Sequence, residues 1–152
     1  MDRIEKFLRY ISADKGRSAL TLKTYRADLE NNCAYLQATD RQLDWQDVDR
    51  DLIRGWVAQM METHYKPTYV RRRLSAVRSF YQYLMQQGLA NRNPAAEVKG
   101  PKLGKPLPTF LREEELNRLF DSDELFDSTP EQQRDRLILL TFYSTGIRLA
   151  EL

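Results

Sequence analysis

Two sets of residues in this chain carry side chains suited to holding an anion, and both are built on arginine. The first is a single residue, Arg148, in the run LILLTFYSTGIRLAEL (residues 137–152), where Ile147, Leu149 and Leu152 give it apolar neighbours. A guanidinium keeps its charge, so one placed among buried neighbours must be paired. Its partner is either Glu151, three residues on, or an anion brought in from outside. An Arg–Glu pair at i, i+3 on an ordinary helix adds only about 0.2–0.5 kcal/mol; an arginine kept for an external anion makes a binding site.

The second set lies between residues 66 and 105. Arg71 and Arg78 stand seven residues apart on nearly one helical flank, with Arg72 and Arg73 at the same end and Ser75 between. Guanidinium forks of this kind bind phosphates bidentately, and neutral donors such as Tyr69 supplement them. Lys66 extends the patch upstream, and Lys99, Lys102 and Lys105 carry it downstream. Thr21, Lys23, Thr24 and Arg26 offer a further basic edge near a helix start, which reads equally as an anion site or as ordinary capping.

Net charge is only +2, but residues 66–105 hold nine Lys/Arg against one Asp/Glu, whereas residues 1–65 hold ten against eleven and residues 106–152 five against ten. A basic block of this kind is the footprint of a polyanion partner, a solvated helix being the plainer alternative. No nucleophile–base–acid set can be assembled, because His64 is the only histidine and lies far from Ser144 and Thr145. Walker and dinucleotide-binding glycine patterns are lacking, and one cysteine, Cys33, excludes an intrachain disulfide and a cysteine-based zinc site. No apolar run is long enough for a membrane span, so a cytoplasmic protein without a membrane partner is expected.

The elements that would position these residues are helical. Ile4, Phe7, Leu8 and Ile11 repeat as the apolar stripe of a first helix ending near Gly16. Thr21 can cap a second, with Leu22, Tyr25, Leu29, Cys33 and Leu36 facing inward, and residues 40–47 read as a polar turn. A third helix starts at about Asp49 and carries Leu52, Ile53, Trp56, Val57, Met60 and Met61. Pro67 opens a fourth with a narrow stripe at Val70, Leu74, Val77, Tyr81 and Leu84, stopping at Gly88. The expected fold is all-α: a four-helix bundle over residues 1–90, an extended Pro- and Lys-bearing linker over 91–111, and two helices within 112–152 that look like the start of a domain cut short.

The run LTFYSTGIRLAEL (residues 140–152) closely resembles the first conserved box of the tyrosine recombinases, whose Xer-type members read Leu-Tyr-x-Thr-Gly-Leu-Arg-x-Ser-Glu-Leu. Residues 18–29 (SALTLKTYRADL) resemble the Ser-x-x-Thr-x-x-x-Tyr-x-x-Asp-Leu start of that family's core-binding domain, and residues 73–81 (RLSAVRSFY) its last helix. Asn93-Pro94, Pro101-Lys102, Leu107-Pro108 and residues 111–115 are similar to its inter-domain linker. Ile147 for Leu and Ala150 for Ser are the departures in the box, and neither touches the arginine.

The resemblance implies a SAM-like core-binding domain and a catalytic domain that together clamp duplex DNA. Recombinase protomers would assemble on that DNA as a homo- or hetero-tetramer. A tyrosine would attack the scissile phosphate to give a 3′-phosphotyrosyl link, with no metal or other cofactor. Arg148 would be the first catalytic arginine and Glu151 its support. The family's hairpin lysine, His-x-x-Arg box and nucleophilic tyrosine follow this box, and Tyr143 is not that nucleophile. The 152 residues are therefore expected to bind DNA without cleaving it, and residues 131–152 to be poorly ordered or buried against another molecule. The alternative is a short stand-alone helical module that binds DNA or a partner.

Overall fold

In the computed structural model, residues 2–104, 107, 109–126 and 129–152 are described. They are helical throughout, with no strand among the described residues: α1 (Asp2–Ala13), α2 (Ala19–Thr39), α3 (Arg50–Glu62), α4 (Pro67–Gln86), α5 (Glu113–Phe120), α6 (Asp123–Phe126) and α7 (Pro130–Thr145), then a 3-10 turn over Leu149–Glu151. The chain divides into two compact units, Met1–Gly104 and Lys105–Leu152.

In the first unit the apolar periodicity becomes one core. Ile4, Phe7, Leu8 and Ile11 of α1 are buried, as their spacing requires, with Ile53, Trp56, Val57 and Met60 of α3. Asp49 caps α3 by accepting the Leu52 amide at 2.8 Å. On α2 the cap is Ser18 rather than Thr21; the Ser18 hydroxyl accepts the Thr21 amide at 3.3 Å and lies 2.9 Å from the Thr21 hydroxyl. The inward face of α2 also differs from the expected stripe. Leu29 and Leu36 are buried, but so are Asp28 and Asn32, while Cys33 is only half-buried, its thiol pushed up by partial burial. His64, in the turn before α4, is exposed and takes a left-handed backbone with φ of 61°.

The central element is α4, which packs against α1, α2 and α3. Its buried face is wider than a narrow stripe, adding Arg73, Ala76, Phe80 and Tyr83 to the five expected residues. Residues 40–48 are likewise more than a polar turn. Trp45 sets its ring 4.8 Å from Phe80, Val48 is buried, and the Tyr81 hydroxyl donates to the Trp45 carbonyl at 3.1 Å. Burial raises the Tyr81 pKa, and nearby Asp44 adds to the shift.

The expected extended linker is also corrected over its first half. Ala95 and Val98 are core residues, and residues 93–98 lie along α4. Arg78 donates from Nε to the Ala95 carbonyl at 2.9 Å and from Nη2 to the Val98 carbonyl at 2.6 Å. Asn93 returns a bond from Nδ2 to the Arg78 carbonyl at 3.0 Å and caps the Ala96 amide at 3.1 Å. Backbone carbonyls that would otherwise lack partners thus hold this Pro-bearing segment against the bundle.

In the second unit Thr129 and Gln132 form a capping box at the start of α7, and Gly146 ends the helix in the left-handed region at φ 65°. Phe120 of α5 meets Tyr143 with ring centroids 5.8 Å apart, yet α7 itself buries none of its side chains.

Candidate nucleic-acid interface

The first turns of α2 and the N-terminal half of α4 lie side by side because a buried ion pair ties them. Asp28, 1% exposed, accepts from Arg72 Nη1 at 2.8 Å and Nη2 at 3.1 Å, and Arg73 Nε lies 3.3 Å away. Arg73 is itself buried at 7%, and its Nη2 donates to the Tyr69 hydroxyl at 2.7 Å. Burial pushes the Asp28 carboxyl above its ordinary range, with the charges of Arg72 and Arg73 pulling the other way. A cavity of about 330 Å³ opens over this pair, lined by Leu20, Thr21, Thr24, Tyr25, Arg72 and Ser75 around the Asp28 floor.

Arg72 also borders a second concavity of about 460 Å³ at the start of α4, with Tyr65, Lys66, Thr68 and Tyr69. The Tyr65 and Tyr69 rings stack at 5.2 Å, and Arg72 lies over the Tyr69 ring at 4.8 Å. No side chain caps the first turn of α4, where Lys66 occupies the N-cap and Pro67 follows. The positive end of the helix dipole, a lysine and a cation–π-held arginine there favour negative charge. The two concavities together give a surface of hydroxyls, arginine and lysine whose only carboxylate is already paired, with Arg72 of the lining and with the buried Arg73.

The predicted site residues are thus sorted by the structure. Thr21, Thr24, Arg72 and Ser75 come together in the groove, and Lys66 and Tyr69 stand beside it. Lys23 is exposed on α2. Arg26 turns instead to Glu5, which it engages through both oxygens; that hydrogen bond holds the Glu5 carboxyl below its usual range. Stability from this pair is therefore present above about pH 4.5, the ordinary glutamate value, and is lost as the pH falls through the lower folded value.

Arg73 is a core cation and does not reach the surface. Arg78 is half-buried, with its fork spent on two carbonyls, so Arg71 and Arg78 do not form one open phosphate flank. Arg71 stays exposed, its stem against Gly100, where a Cβ would come within 2.9 Å of Arg71 Cγ. Lys99 and Lys102 are exposed; Lys105 lies outside the described residues. Sequence reasoning missed Asp28 as the anchor, although a carboxylate four residues before Asn32 and next to Leu29 on an inward face was the available signal.

In the second unit Arg148 is not among buried neighbours. Its side chain is 86% exposed, Leu149 is 80% and Leu152 56% exposed, because no described residue of that unit packs over them. Glu151 accepts the Arg148 amide at 2.8 Å and lies 3.2 Å from its Nη1, so the i, i+3 pair forms. An exposed pair of this kind is weak, which leaves the guanidinium available to a stronger anion. Among the described residues no group of three or more His, Cys, Asp or Glu could hold a metal ion, and no helix is long and apolar enough to cross a membrane.

Residues 4–88 match the family model described as "Phage integrase, N-terminal SAM-like domain". The whole chain is similar to the tyrosine recombinase XerC of Roseiflexus castenholzii, 34% identical over 99% of this chain and 48% of the relative. It is similar also to tyrosine recombinase XerD of Listeria monocytogenes, 32% identical over 99% and 50%, and of Shewanella oneidensis, 36% identical over 98% and 48%. The chain thus spans about half the length of the curated relatives it matches. Family model, matched relatives and all-helical bundle agree, and the chain belongs to the phage integrase family of tyrosine recombinases.

Proposed function

We propose that this chain is the DNA-grasping portion of a site-specific recombinase, in which residues 1–90 form the core-binding domain and residues 112–152 contribute the start of a catalytic domain. The observation that supports this most is the groove between α2 and α4, where Thr21, Thr24 and Ser75 converge beside Arg72, which holds the buried Asp28 carboxylate and keeps its remaining N–H groups for a ligand. Hydroxyls and a planar fork in one concave strip match phosphate oxygens and base edges of a duplex. Lys66, with Lys23 on α2 and Arg71 on α4, adds long-range attraction.

Arg148 has a role in the same reading. Its pair with Glu151 is exposed and readily exchanged, so it would bind the non-bridging oxygens of a scissile phosphate and stabilise charge that builds at phosphorus. Glu151, which holds the Arg148 amide at 2.8 Å, would set the arginine's direction. Attack by a tyrosine and assembly of recombinase protomers belong to the longer proteins of this family, and residues outside this chain would supply the remaining groups.

Duplex affinity measured by fluorescence anisotropy should fall steeply with salt, the slope of log K against log[salt] being about −0.9 for each phosphate neutralised. Affinity indifferent to salt would contradict duplex binding through phosphate contacts.

A further inference from the structure

A third cavity, about 270 Å³, lies away from the α2–α4 groove, between α3 and the segment that Arg78 holds; Arg50, Arg54, Glu97, Val98 and Lys99 line it. We infer that it is a phosphate-binding site, taking a further backbone phosphate of the bound duplex and so widening the interface beyond the groove; this rests on the proposed function above.

Arg50 and Arg54 are one helical turn apart on α3 and so present their forks on the same face. Lys99 faces them from the opposite wall, and its position is set, because the preceding Val98 is buried and its carbonyl accepts Arg78 Nη2 at 2.6 Å. Neither Arg54 nor Lys99 has a carboxylate within 4.0 Å among the described residues. Arg50 has only Asp51 at 3.4 Å, with both side chains more than half exposed, an association that a stronger anion displaces easily.

Glu97 is the one carboxylate in the lining and offsets one of three positive charges. Unpaired cations converging on a concave site repel one another, and the arrangement gains most from a multidentate oxyanion. A tetrahedral phosphate accepts from two guanidinium forks and an ammonium at once, which a single carboxylate does less well. Free phosphate and a duplex backbone phosphate share this chemistry, so the test separates them.

In the full 152-residue chain, inorganic phosphate should shift the amide resonances of residues 97–99 and the Arg54 Nε–H signal more than sodium chloride does at matched ionic strength. R54Q/K99Q should abolish that response; both side chains are exposed, and an unchanged Tm would show that the fold is kept. The same variant should reduce the magnitude of the salt slope for duplex binding by about 0.9, the loss of one neutralised phosphate. Equal responses to phosphate and chloride would overturn the site whatever the duplex does. A phosphate response with no change in the duplex slope would overturn the backbone source. If the unaltered chain binds no duplex, the proposed function falls, while a phosphate response would still uphold the cavity as a site for free phosphate.

Discussion

Arg73→Ala should lower the stability of the Met1–Gly104 unit by about 3 kcal/mol, the scale on which removing one member of a buried charge pair acts. For a unit of this size that is roughly 12–24 °C in Tm, at about 4–8 °C per kcal/mol. Arg73 is 7% exposed, donates to Tyr69 and shares Asp28 with Arg72; alanine leaves a void in the core and takes one counter-charge from a carboxylate that stays buried. Asp28→Asn/Arg73→Met should recover most of the loss, because the neutral amide no longer needs a cation and the methionine refills the space.

The pH dependence follows from the direction of the Asp28 shift. Burial raises its carboxyl above the ordinary value of 3.8, so the folded chain takes up this proton at a higher pH than the unfolded chain, and acidification through that interval favours folding. Removing Arg73 takes away one of the charges that hold the value down and widens the interval. The gap between parent and Arg73→Ala measured by urea unfolding should therefore shrink as the pH falls through the raised pKa. A penalty that is constant from neutral to acid pH would show that Arg73 acts by packing alone.

Thr24→Glu/Ser75→Glu should weaken duplex binding by about 100-fold, taking roughly 1.4 kcal/mol for each carboxylate placed against phosphate. Both residues line the α2–α4 groove, and neither makes a long-range hydrogen bond; the Thr24 hydroxyl donates only to the Leu20 carbonyl of its own helix at 2.9 Å. Glutamate suits a helix surface, so Tm should hardly move. Ala58→Glu, at an exposed α3 position outside the groove, serves as the charge control and should leave affinity nearly unchanged. Equal losses from the groove variant and the control would reduce the effect to net charge.

The contrast between Arg72, Arg73 and Arg78 shows what was legible in the sequence. The α1 stripe, the α3 cap at Asp49 and the apolar ridge of α4 were readable because period and capping chemistry are local. The fates of the arginines were not. Arg72 and Arg73 are decided by Asp28, 44 residues from Arg72, and Arg78 by the main-chain carbonyls of Ala95 and Val98, which residue type does not reveal. A run of cations without acids therefore read as one open flank, when part of it serves the core and part pins residues 93–98. Thr21 and Ser18 both suited the α2 cap, and the entry of the chain chose Ser18. The apolar Ile147, Leu149 and Leu152 suggest buried neighbours for Arg148, but burial also needs a packing partner, and Leu149 and Leu152 stay exposed among the described residues of their unit.

Mapping amide shifts of the 152-residue chain on addition of a matched duplex shows whether the duplex lies in the groove between α2 and α4. The largest changes are expected at residues 20–25 and 68–75, with α1 and residues 31–39 quiet. Changes confined to residues outside the groove, or none at salt concentrations where the anisotropy reports binding, would contradict that placement.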